Sequence, residues 1–87
     1  MNLKSKIETT HKAIDVWVMK RTVYLKMADF RILACPADKF TILKNATDKQ
    51  IQKVRLILKG TSLHWEELGE DITVRGLIEG SLQLDME

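Results

Sequence analysis

The chain has little of what staples, breaks or buries a fold. Its 87 residues include one cysteine, one proline, four glycines, two tryptophans, one tyrosine and two phenylalanines. A single thiol, Cys35, cannot close a disulfide or build a thiolate metal site alone. This argues against a disulfide-framed secreted module and fits a reducing cytosol. No run approaches the roughly 18–20 apolar residues of a membrane-spanning helix, so no membrane role is expected. Residues 1–12 scatter Lys4, Lys6, Glu8 and Lys12 among apolar positions and lack the continuous apolar core of a signal peptide. The expected location is the cytoplasm. What is present is an ordinary globular balance, 45% hydrophobic and 30% charged, which excludes the disordered class. The length suits one domain. The expected division is an N-terminal extension (1–11), a single α+β domain (12–80) and a C-terminal tail (81–87).

Charge is unevenly placed. Residues 1–60 hold 13 Lys/Arg and 5 Asp/Glu, a net +8, while residues 61–87 hold Arg75 against 7 acids, a net −6, which together give the overall +2. Either the halves pack together and neutralise each other, or Lys20, Arg21, Lys39, Lys44, Lys49, Lys53, Arg55 and Lys59 form a basic face for nucleic acid. No aromatic residues interleave with a basic run, which weakens the second reading.

The strongest local signal is alternation. Ile14, Val16 and Val18 alternate with Asp15, Trp17 and Met19, then Val23, Leu25 and Met27 alternate with Tyr24 and Lys26. Period-two runs rich in β-branched and aromatic residues predict half-buried strands, here a hairpin turning at Lys20-Arg21. A second turn falls at Ala28-Asp29-Phe30, and a third strand runs from Arg31 to Cys35 until Pro36 stops it. Pro36 to Asn45 reads as a short helix carrying Phe40 and Leu43 on one side. Thr47 and Gln50 form a capping box that opens a second short helix, Asp48 to Lys53. Arg55 to Leu58 is strand-like, Lys59 to Ser62 a turn, and Leu63 to Trp65 extended. Glu66 to Asp71 reads as an acidic loop. Thr73 caps a last helical turn closed by Gly80, and Leu82 and Leu84 suggest an edge strand. The fold class is therefore α+β: a small two-layer domain with an antiparallel sheet in β-β-β-α-α-β order and short helices on one face.

Pro36, Phe40, Leu43, Asn45-Ala46-Thr47, Gln50, His64-Trp65, Glu70-Asp71-Ile72, Val74 and Gly76-Leu77 follow one another in a recognisable order. In these motifs the chain resembles the bacterial family known as domain of unknown function 2442. The resemblance implies the architecture above and assigns no enzymatic activity. It also implies possible partnership with small toxin-like bacterial proteins. Phe30 stands where the family usually has glycine, in an Asp-Gly-Arg turn. A phenylalanine resists positive φ, so a different turn is expected.

No constellation for catalysis stands out. His64 and Glu67 have a helical ligand spacing, but one histidine and one carboxylate are too few for a metal. A structural role is expected instead, with Trp65 filling the core and His64 bonded to backbone. Glu66, Glu67, Glu70 and Asp71 read as a solvated acidic loop, and Cys35 as a small core filler. No enzyme activity and no cofactor are expected. If Ile14, Val16 and Val18 face the helices and the core, then Trp17, Met19, Tyr24 and Phe30 form an apolar outer face. The expected function is a protein-interaction module, regulatory or antitoxin-like, for an unknown protein partner or a second copy. Nucleic-acid binding through the basic residues is the alternative.

Overall fold

A computed structural model describes residues 11–85. Most of the N-terminal extension read from the sequence lies outside the described residues.

Two three-stranded antiparallel sheets share one core. The first holds β1 (Ala13–Met19), β2 (Thr22–Met27) and β3 (Ile32–Pro36) in that spatial order. Its register places Val16 against Leu25 and Val18 against Val23, with Cys35 beyond Val23 and Leu33 beyond Leu25. The predicted alternation thus forms the sheet, with one correction. The register slips between Ala13 and Asp15, a β-bulge that leaves Ile14 as the extra residue. Ala13 is buried beside Met27, and Ile14, expected to face the core, is exposed.

The segment after Pro36 is more broken than one helix. A 3-10 turn (Ala37–Lys39) leads through extended Phe40 into α1 (Thr41–Lys44). The capping box forms as predicted. The Thr47 hydroxyl accepts from the Gln50 N–H, and the Gln50 side chain accepts from the Thr47 N–H, opening α2 (Asp48–Gln52). Replacing Thr47 with alanine removes one of these two bonds. It should cost about 1 kcal/mol in a denaturant titration, with no change in m-value.

The second sheet holds β4 (Val54–Ile57), β5 (Ser62–Trp65) and β6 (Glu70–Thr73). The acidic segment is therefore only partly loop. Its second half pairs with β5, because Ile72 sits opposite Leu63 and packs against the core. α3 (Val74–Asp85) follows, with the Thr73 hydroxyl accepting from the Gly76 N–H. This helix passes through Gly80 and continues to Asp85, so Gly80 does not close it and the expected edge strand at Leu82 and Leu84 is helical. The α+β class and the β-β-β-α-α-β order hold, and β5, β6 and α3 complete them.

Val23, Leu25, Met27, Leu43, Ile51, Leu63, Trp65, Val74 and Leu77 are fully buried in a shared cluster. The Trp65 indole N–H donates to the Ile51 carbonyl at 2.9 Å, so the largest core side chain has its one polar atom satisfied. Gly60, at φ +86°, lies so close to Ala13 that an added Cβ would sit 2.1 Å from the Ala13 carbonyl oxygen. Only glycine allows the β4–β5 connection to press against the first sheet in this way.

Arg21 ties the β1–β2 turn to the helices. Its guanidinium donates to the carbonyls of Leu43 (2.9 Å), Lys44 (3.2 Å) and Ala46 (3.2 Å), and to Asp38 and Asp48. These carbonyls lie at and just beyond the end of α1, where a helix leaves acceptors without internal partners.

Candidate functional site

The outer face of the first sheet follows from its register. Side chains opposite in phase to Val23 and Leu25 point away from the core, in three cross-strand rows. One row is Asp15, Lys26 and Ile32, the central row is Trp17, Tyr24 and Ala34, and the last is Met19, Thr22 and Pro36. The Trp17 and Tyr24 rings stack with centroids 5.7 Å apart and planes 7° from parallel. Both residues are half-buried. Met19 and Ile32 are each 58% exposed. The four residues expected to form an outer apolar face, Trp17, Met19, Tyr24 and Phe30, are thus all on the accessible side of this sheet or in its β2–β3 turn.

Phe30 departs from the sequence expectation. It adopts φ +72°, so the turn retains the conformation that glycine would favour. The Phe30 N–H donates to the Met27 carbonyl, and the Met27 N–H donates to that of Arg31, each at 2.8 Å. Asp29 braces the turn by accepting from both the backbone and the guanidinium of Arg31. The ring is 71% exposed, with the Lys26 ammonium 5.4 Å from its centroid. A left-handed non-glycine residue costs about 1–2 kcal/mol, and here the strain holds an aromatic ring out in solvent.

The remaining motif residues occupy the frame. Pro36 ends β3 and precedes the 3-10 turn, Phe40 is half-buried beside the core, and the Asn45 side chain donates to the Thr41 carbonyl. His64 lies on a strand, so its spacing to Glu67 does not bring the two together. Its partner is the side chain of Asp71, directly across on β6, rather than backbone. Glu66 stands 3.7 Å from the other ring nitrogen. Among the described residues no group of three possible ligands is arranged to hold a metal ion. Burial pushes the Cys35 thiol up, away from the reactive thiolate, with Lys39 opposing weakly.

The acidic segment meets the basic half directly. Glu66 pairs with Arg55 at 2.9 Å, and Glu67 pairs with Lys53. The Lys53 ammonium, both as hydrogen-bond donor and as charge, holds the Glu67 carboxyl below the usual carboxylate range. Arg21, Lys53 and Arg55 are therefore engaged within the chain. Of the two readings of the uneven charge, the neutralising one matches Lys53 and Arg55, whose acidic partners lie 14 and 11 residues away; Arg21, which the other reading drew into a basic face, is engaged by Asp38 and Asp48 of its own half.

No described helix is long and apolar enough to cross a membrane. A protein of unknown function from Rhodospirillum rubrum, solved by crystallography, is 27% identical with a TM-score of 0.74, over 79% of this chain and 86% of that one. An uncharacterised protein from Chromobacterium violaceum, solved by NMR, shares the fold at 20% identity and a TM-score of 0.67, over 93% and 84% of the two chains. A comparison with curated proteins gives no match. The family model described as "Protein of unknown function (DUF2442)" matches residues 13–83, spanning both sheets and the helices between them, and the chain belongs to that family.

Proposed function

We propose that the chain is a protein-interaction module that binds through the outer face of its first sheet, rather than an enzyme. Its concrete form is a regulatory or antitoxin-like partner of a small protein in the bacterial cytoplasm. The observation that carries this reading is Phe30, which is held in a strained left-handed turn with its ring exposed at one end of the sheet whose outer face carries the Trp17–Tyr24 stack. Strain that keeps an apolar ring in water is an expense a purely structural turn would avoid with glycine. Trp and Tyr are also the side chains that most often anchor protein interfaces. Nucleic-acid binding is the weaker reading, since Arg21, Lys53 and Arg55 are occupied by the chain's own acids.

Replacing Phe30 with glycine separates the two roles of the position. Relief of the left-handed strain outweighs the added freedom of the unfolded chain, so stability should rise by up to about 1 kcal/mol. Partners captured by the parent chain should be lost from this variant and from Trp17→Ser. Partners retained at parental level by both variants would refute the interaction face. A steeply salt-dependent complex with DNA or RNA would favour the alternative.

A further inference from the structure

All four arginines of the chain are held by its own acids: Arg21 by Asp38 and Asp48, Arg31 by Asp29, Arg55 by Glu66 and Arg75 by Glu79. The planar forks that would grip phosphate are therefore engaged. The unpaired cations are lysines, which act as point charges on flexible stems. Three of these lysines gather at one corner. Lys20 precedes Arg21 in the β1–β2 turn. The Lys44 carbonyl accepts from the Arg21 guanidinium at 3.2 Å, and Lys39 follows Asp38, which accepts from it at 3.0 Å. The Ala37 N–H donates to the Arg21 carbonyl at 2.8 Å, which fixes the 3-10 turn carrying Lys39 to the same place. All three lysines are exposed, and none has an ion-pair partner among the described residues. The acids nearest to them in the chain, Asp38 and Asp48, are the ones that pair with Arg21. Lys49, beside Asp48, is placed differently, since its charge helps to lower the Glu67 carboxyl.

Resting on the reading of the chain as a protein-interaction module, we infer that this corner docks an acidic segment of the protein partner. Carboxylates of that segment pair with Lys20, Lys39 and Lys44, relieving a repulsion among like charges that the chain's own acids leave standing. Charge complementarity chooses this occupant. A nucleic-acid strand presents a long row of phosphates, and holding it calls for a track of cations with arginine forks among them. A corner of three lysines beside two carboxylates already bonded to Arg21 suits a short run of Asp and Glu instead. Exposed ion pairs are individually weak and screened by salt, so the corner steers and orients the partner rather than holding it alone.

Amide NMR of the isotope-labelled full chain tests the corner, with a short glutamate peptide as the probe at low salt. Shifts confined to the amides around Lys20, Lys39 and Lys44 are expected. Lys20→Glu, Lys39→Glu and Lys44→Glu should each weaken the peptide by about threefold, and together by more than about tenfold. Lys59→Glu, which reverses an exposed lysine elsewhere, should change it by less than about twofold. If the triply reversed chain does not fold, Lys20→Gln, Lys39→Gln and Lys44→Gln together decide, with an expected loss of about threefold or more. No shift at any peptide concentration, or shifts spread equally over Lys12, Lys26 and Lys59, would overturn the corner. So would tighter binding there of a short thymidine strand of matched charge, which would give the corner to nucleic acid. Captured partners lost on Trp17→Ser but kept by the reversed chain would sink the acidic dock alone. The opposite pattern would sink the outer face alone.

Discussion

Gly60→Ala should unfold or nearly unfold the domain, with an expected loss above about 4 kcal/mol in chemical denaturation. Domains of this size have only about 4–13 kcal/mol of stability in total. Two costs coincide. The φ of +86° is left-handed and costs about 1–2 kcal/mol for any residue with a Cβ. That Cβ would also lie 2.1 Å from the Ala13 carbonyl oxygen and 3.2 Å from its carbon. The clashing atoms are backbone in β1, so relief requires moving the strand rather than turning a side chain. Gly69→Ala is the control. Gly69 also has positive φ, +59°, but an added Cβ meets nothing within 4 Å. Its expected cost is the conformational part alone, about 1 kcal/mol. Equal losses at the two positions would refute the close approach.

The second large effect separates the two tryptophans. Trp65→Ala should cost about 3–5 kcal/mol, because it empties the largest fully buried side chain from the shared core. Trp65→Phe keeps most of the volume but leaves the Ile51 carbonyl without its donor, for an expected cost of about 1–3 kcal/mol. Trp17→Ser, on the opposite side of the first sheet, loses mainly the Tyr24 stack, about 1 kcal/mol, and should change binding instead. The readout is paired, a denaturation curve and an association measurement on each variant. A Trp17 variant as unstable as Trp65→Ala would mean that the outer face is structural.

The first half of the fold is legible in the sequence because its signals are local. Alternation over residues 14–27 states the hairpin, and Thr47 with Gln50 states a helix start that the hydrogen bonds reproduce. Ile14 was misplaced because a bulge has no signature in alternation, which runs unbroken through it. β6 was obscured by composition. Glu70 and Asp71 resemble loop residues, and only their pairing with Trp65 and His64 makes them strand. Gly80 and the residues after it carry a stop signal that α3 ignores. The outward phase of Trp17 and Tyr24 follows from strand alternation. The Phe30 turn was misread, because local sterics disfavour the φ that the neighbouring Met27, Asp29 and Arg31 bonds impose. Arg21 was unreadable for a different reason. Its acceptors are mostly backbone carbonyls, which no residue type advertises.

That arginine also changes how the molecule would look to a polyanion. A phosphate approaching Arg21 would have to displace two carboxylates and three carbonyls already arranged around the guanidinium. Lys53 and Arg55 are matched by Glu67 and Glu66, so acids from the last third of the chain offset two of the first sixty residues' surplus of positive charge. At distance the molecule presents its overall +2 rather than the surplus of its first sixty residues, and salt at physiological strength screens that field beyond about 8 Å.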